Sequence, residues 1–153
     1  EVLSFKEEKE IKYGWIIEIK SKTKKYNKNE PYFTLYKKLN IGAVEALCNI
    51  YNLSIKIIVE NTYIHLNKNC DNNYILHFID NKYTQINNKI DLDSYQEIEN
   101  YNKLLYSLSY YKVKELKDIL IKLNILFDKT LKKQKLYDLI FQYFKLIYLK
   151  III

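Results

Sequence analysis

The sequence predicts an α+β protein: a small, mostly antiparallel sheet with one packed helix, followed by a helical hairpin. Three observations lead there. Short β-branched runs separated by Asn- and Asp-containing turns fill residues 54–86. Apolar residues recur at intervals of three and four from residue 113 to 143. A chain of 153 residues with 48% hydrophobic content can bury one modest core and a small appended unit, but not two large cores. The expected division is an α/β unit over residues 1–90, a connecting helix within 91–106 and a helical module over 107–153.

Residues 11–20, around Trp15, Ile16, Ile17 and Ile19, read as a buried strand, and the lysine-rich stretch up to the single Pro31 reads as a loop. Asn40 can cap a helix whose apolar positions Ile41, Val44, Leu47, Cys48 and Tyr51 keep helical spacing, with Asn52 as a left-handed stop. Residues 54–59 and 62–66 flank Glu60-Asn61 and form a hairpin. After the polar turn region 67–73, residues 74–78 and 83–86 give two further strands around Asp80-Asn81. The polar stretch 91–94 offers a start signal for a connecting helix of about 95–105.

All 25 basic residues are lysine, and no arginine occurs. With the wealth of Asn, Ile and Tyr, this pattern fits a very AT-rich genome. It also removes the planar fork that reads guanine and pairs of phosphates. The net charge of +7 is concentrated: residues 107–153 hold ten lysines against four acids, a local excess of +6. A polyanion is the simplest partner for such a tail.

Cys48 and Cys70 are too few for a disulfide framework and lie in no metal-binding motif, which points to reduced thiols in an intracellular protein. No signal peptide is present, and the apolar tail 146–153 is too short to cross a bilayer, so no membrane association is expected. The chain begins at Glu1 and holds no Met, as a piece of a longer protein would.

Residues 42–59, a helix ending in Tyr51-Asn52 and then a strand, resemble the later half of an OTU-type papain-like cysteine peptidase. That resemblance implies a catalytic His before an aromatic residue at Asn81-Lys82-Tyr83, where Lys82 stands instead. The Asp-Gly-x-x-Cys start of that family does not occur in the chain. A lysine near its reference pKa of about 10.4 cannot take up a thiol proton as an imidazole does. Cys48 falls on the apolar stripe of its helix, the setting of an inert thiol. His65 and His77 are not spaced as a metal pair. Glu7, Glu8 and Glu10 alternate with lysines as a solvated face does. The expectation is an OTU-like scaffold without a catalytic set, with no enzyme activity, cofactor or metal.

In the tail, Val113, Leu116, Leu120 and Leu123 share one helical face, with Ser109 as a candidate cap. Leu136, Leu139, Ile140 and Tyr143 repeat the pattern after a short linker. Val113-Lys-Glu115-Leu116-Lys117 with Leu120, then Lys132-Lys133-Gln134-Lys135-Leu136, resembles the SAP motif, a small helix-loop-helix module. Asn124 stands where that family has Gly, and both residues adopt the left-handed conformation. Residues 127–131 replace the family's Gly-rich turn. Lys132, Lys133 and Lys135 fall in a helix's first turn, where cations oppose the dipole and a bound phosphate supplies a reason for them.

The resemblance implies DNA binding, with Lys112, Lys114, Lys117, Lys132, Lys133, Gln134 and Lys135 as contact residues. The lack of Arg implies weak sequence preference. The whole chain resembles proteins of AT-rich large double-stranded DNA viruses of the mimivirus group, which implies association with a viral genome or virion, in the virion or host cytoplasm. The alternative is a structural adaptor, such as a minor virion component, whose hairpin grips protein. A more distant one is an OTU-like peptidase fragment.

Overall fold

Short β-branched segments cannot bury their apolar sides alone, and among the described residues they do so in one five-stranded sheet. The computed structural model describes residues 41–86 and 90–152. The strand read at 11–20, the loop before Pro31 and the Asn40 cap lie outside these residues. Helix α1 (Ile41–Tyr51) is followed by β1 (Ser54–Val59), β2 (Thr62–Leu66), β3 (Asn73–Ile79), β4 (Lys82–Ile86) and β5 (Gln96–Glu97). Helices α2 (Val113–Lys122) and α3 (Lys133–Ile152) complete the order.

The class is α+β, but the sheet is mixed rather than mostly antiparallel. Its order is β4-β3-β1-β2-β5. The two tight hairpins are antiparallel, whereas β1 pairs with β3, and β2 with β5, in parallel. The Asp80-Asn81 turn has both residues at positive φ, 49° and 61°, as a two-residue hairpin of right-handed twist requires. Asn52 closes α1 at φ 53°, in the left-handed conformation anticipated for it.

Pairing register decides which side chains face inward. Ile55, Ile57 and Val59 stand opposite Leu66, Ile64 and Thr62, and Leu76 stands beside Ile57. Ile57, Val59, Ile64 and Leu66 join Ile41, Val44 and Cys48 of α1 in one buried cluster. The same cluster runs on through Ile98 and Leu105 into Leu116, Leu120, Leu136, Ile140, Phe144, Ile147 and Ile151 of the helical module.

The connecting helix expected near residues 95–105 does not form. A 3₁₀ turn at Leu92–Ser94, capped by the Asp91 carboxylate, leads into β5. Gln96 N–H donates to the Asn61 carbonyl and Ile98 N–H to that of Tyr63, both at 2.9 Å. The open edge of β2 supplies hydrogen bonds to this segment and seats Ile98 in the core. These tertiary gains override a local helical signal of few residues. Among the described residues, no helix is long and apolar enough to cross a membrane.

Candidate nucleic-acid interface

The geometry of the basic module follows from how α2 ends. Asn124 adopts φ 56°, Asn124 N–H donates to the Ile121 carbonyl and Ile125 N–H to that of Leu120, each at 3.0 Å. This is a Schellman ending, which satisfies two otherwise orphaned carbonyls. The start of α2 differs from expectation. Ser109 lies in a 3₁₀ turn at Leu108–Tyr110, and Lys112 is the residue that flanks the helix. Its N–H donates to the Glu115 carboxylate at 2.6 Å. A carboxylate in the first turn serves both this orphan donor and the helix dipole.

The linker between the helices returns along α2. Asp128 Oδ1 accepts from the N–H and hydroxyl of Thr130 at 2.8 and 2.7 Å. The Lys117 ammonium donates to the Lys129 carbonyl at 2.7 Å. Those Thr130 donors, backbone first, and then the Lys117 charge hold the Asp128 carboxyl below its ordinary range. At the start of α3, Tyr137 OH donates to the Tyr106 carbonyl at 2.8 Å, and its ring lies 6.2 Å from that of Tyr111. The beginning of α3 therefore lies beside the beginning of α2.

The other ends meet at the β1-β2 turn. Asn61 Nδ2 donates to the Leu123 carbonyl at 3.0 Å, and Tyr143 OH to Glu60 at 3.0 Å. Lys150 also pairs with Glu60. Burial first, then the Glu60 charge, pushes the Tyr143 hydroxyl up to about 12. Both helices thus run from a shared basic end toward the turn at residues 60–61.

That arrangement sorts the sequence-predicted residues. Lys112, Lys114, Lys132 and Lys135 are exposed and Lys133 is partly so, all at the N-terminal ends of α2 and α3. Lys117 is half-buried, and its ammonium is engaged by the linker backbone. The Gln134 amide donates to Asp138 at 2.8 Å, one turn along the same helix. Lys129, exposed in the linker, was not among the predicted contacts. Its neighbour Asp128, an Asx-turn residue, was the available signal that this loop is ordered.

Leu136 N–H is the first of α3 to reach a backbone carbonyl, that of Lys132, at 3.2 Å. The preceding amides lack intrahelical acceptors and can meet an anion together with the lysines. The apolar faces are nearly as read from the sequence. Leu116, Leu120, Leu123, Leu136 and Ile140 are buried, while Val113 and Leu139 are largely outside, 42% and 37% exposed. Helix α3 continues nine residues past Tyr143 because Phe144, Ile147 and Ile151 prolong the buried stripe.

Cys48 is fully buried, and desolvation, followed by the Glu45 charge, pushes its thiol up to about 12. The half-buried Cys70 thiol donates to Asn52 Oδ1 at 2.8 Å and lies 2.9 Å from Asn67 Nδ2. Ser54 Oγ and His65 Nε2 lie 2.8 Å apart, with Ser54 wholly buried. Among the described residues, no three His, Cys, Asp or Glu side chains are grouped to hold a metal ion. No family model, curated protein or solved structure matches this chain.

Proposed function

We propose that this chain is a non-enzymatic nucleic-acid-binding protein that grips duplex DNA by its phosphates at the common basic end of α2 and α3. The observation that carries this reading is the return of the linker along α2. It brings Lys112 and Lys114 to the same end of the module as Lys132, Lys133 and Lys135. Five lysines and the N-terminal ends of two helices then lie at one end of the module. Cations in a helix's first turn are unfavourable unless an anion meets them, and a phosphodiester backbone supplies one charge about every 1.7 Å of duplex axis.

Lysine acts as a point charge without arginine's fork, so backbone contact with little base discrimination is the expected mode. The spacing of Val113, Glu115, Leu116 and Lys117 and the Lys132-Lys133 opening support a SAP-like module. The Lys/Asn/Ile/Tyr bias supports origin in an AT-rich large DNA virus and a place in its virion or in the host cytoplasm. The buried, high-pKa Cys48 thiol supports a scaffold that does not catalyse peptide hydrolysis.

A structural-adaptor reading draws on one other observation: Leu126, 98% exposed, and Ile121, 63% exposed, stand out near the opposite end of α2. Binding of the full chain to random-sequence duplex separates the two. The DNA reading predicts low-salt binding weakened at least tenfold by replacing Lys132, Lys133 and Lys135 together with Ala. Unchanged binding in that variant, or none in the parent chain, contradicts it.

A further inference from the structure

We propose that the cleft between residues 96–106 and α2 is a binding site for an alkylated ammonium group, of the kind carried by choline or trimethyllysine. The cleft encloses about 400 Å³. Its lining includes Tyr106, Tyr110 and Tyr111 and the acidic residues Glu97, Glu99 and Glu115, with Lys103 the one basic residue among the described residues. The cleft adjoins the lysine end, since Tyr111 and Glu115 flank Lys112, but the proposal does not rest on the DNA reading.

The rings form a corner rather than a flat stack. Tyr106 and Tyr110 have centroids 4.6 Å apart with planes at 34°, and Tyr110 meets Tyr111 edge-on, at 5.2 Å and 81°. Angled aromatic faces around a cavity attract an organic cation through the ring quadrupoles, and alkylation lowers the cost of taking that cation from water. The geometry is built in advance. Tyr106 N–H donates to Tyr111 OH at 3.2 Å, Tyr137 OH donates to the Tyr106 carbonyl at 2.8 Å, and Tyr110 N–H donates to the Ser107 carbonyl at 2.9 Å. Preorganised rings lose little entropy when a ligand enters.

Charge selects the ligand class. Glu97 is paired with Lys68, but Glu99 and Glu115 have no ion-pair partner among the described residues. Glu99 accepts from Tyr106 OH at 3.0 Å, and Glu115 accepts from the Lys112 N–H. Stacked nucleobases would bring phosphates toward these carboxylates, so the aromatic corner is a poor platform for nucleic acid. The Lys103 ammonium already sits 5.3 Å from the Tyr106 centroid. An incoming cation competes with it for that ring.

The test is an NMR titration of the full chain with choline, with a trimethyllysine peptide and with 3,3-dimethylbutanol, the uncharged analogue of choline. Saturable shifts of the Tyr106, Tyr110 and Tyr111 resonances are expected with the cations, and markedly weaker binding of the alcohol. Tighter binding of the peptide than of choline assigns the group to a protein side chain, and the reverse assigns it to a small molecule. Tyr110→Ala, at a ring 64% exposed, is expected to weaken binding about threefold to thirtyfold, while Tyr110→Phe retains it. Lys103→Ala is expected to tighten binding, which mere loss of structure cannot do. Equal affinity for choline and the alcohol, absence of saturable shifts, or indifference to Tyr110→Ala overturns the proposal.

Discussion

The Lys117 ammonium donates to the Lys129 carbonyl at 2.7 Å, tying the middle of α2 to the linker that precedes α3. The contact spends one lysine of the first helix on the shape of the module. Lys117→Ala is therefore expected to act on stability more than on DNA affinity. A charged hydrogen bond at a partly exposed site is worth about 0.5–1.5 kcal/mol. Urea unfolding should show a loss of that order, with a salt dependence of DNA binding close to that of the parent chain. A steep drop in salt dependence instead would place Lys117 on phosphate.

Asn124 offers a backbone test. Its φ of 56° is disfavoured for a residue with an ordinary Cβ by about 1–2 kcal/mol, and Asn and Gly tolerate it best. Asn124→Ala should lower the unfolding free energy by about 1 kcal/mol, while Asn124→Gly should leave it nearly unchanged. Equal losses for Ala and Gly would mean that the asparagine side chain, not the left-handed backbone, is what matters.

Tyr83 presents the opposite case. Its hydroxyl is buried without a hydrogen-bond partner among the described residues, and burial pushes its pKa up to about 12. The ring meets Phe78 at 4.8 Å, a contact that phenylalanine would keep. An unsatisfied buried polar group costs about 1–3 kcal/mol, so Tyr83→Phe is expected to raise the urea midpoint. A lower midpoint would reveal a partner for this hydroxyl.

Stability should also depend on pH through His65. Burial first, then the Lys56 and Lys68 charges, lowers its pKa below the ordinary 6.5, against a smaller opposing pull from Glu97. The folded chain then binds fewer protons than the unfolded chain just below that value. This contribution is present in full above pH 6.5 and is lost as pH falls toward the lowered folded value. Chemical denaturation at pH 7.5 and 5.5 should show lower stability at the acid end, and His65→Gln should flatten the difference. An unchanged slope in the variant would assign the effect to other groups.

The sequence carried the elements whose signals are local. Strands β1 and β2 have the predicted limits, and the turns at Glu60-Asn61 and Asp80-Asn81 fall where polar pairs interrupt apolar runs. Asn52 and Asn124 were readable as left-handed stops because so few residue types tolerate that conformation. The parallel pairing of β1 with β3 was not readable, since a hairpin advertises its partner by a turn and a crossover does not. For the same reason β5 was hidden. Gln96 and Ile98 find their partners at Asn61 and Tyr63, more than thirty residues away, and no periodicity within 91–106 encodes that edge.

The candidate interface was legible as composition but not as shape. Lysine positions and helical spacing pointed to Lys112, Lys114, Lys132, Lys133 and Lys135, yet spacing says nothing about the direction of the second helix. The contacts of Tyr137 with Tyr106 and of Asn61 with Leu123 set that direction. The tyrosine corner carried no signal in the sequence, because its three rings acquire meaning only when a loop folds them around a cleft.

The central claim is that lysines from both helices meet one polyanion. Its most direct test is the slope of log Kd against log salt for duplex DNA, measured for the parent chain and for the variant with Lys132, Lys133 and Lys135 replaced by Ala. Each phosphate neutralised contributes about 0.9 to that slope. A slope magnitude of about 3–5 in the parent chain, falling by about 2–3 in the variant, is the predicted result. Equal slopes in the two proteins, or no binding at low salt, would contradict it.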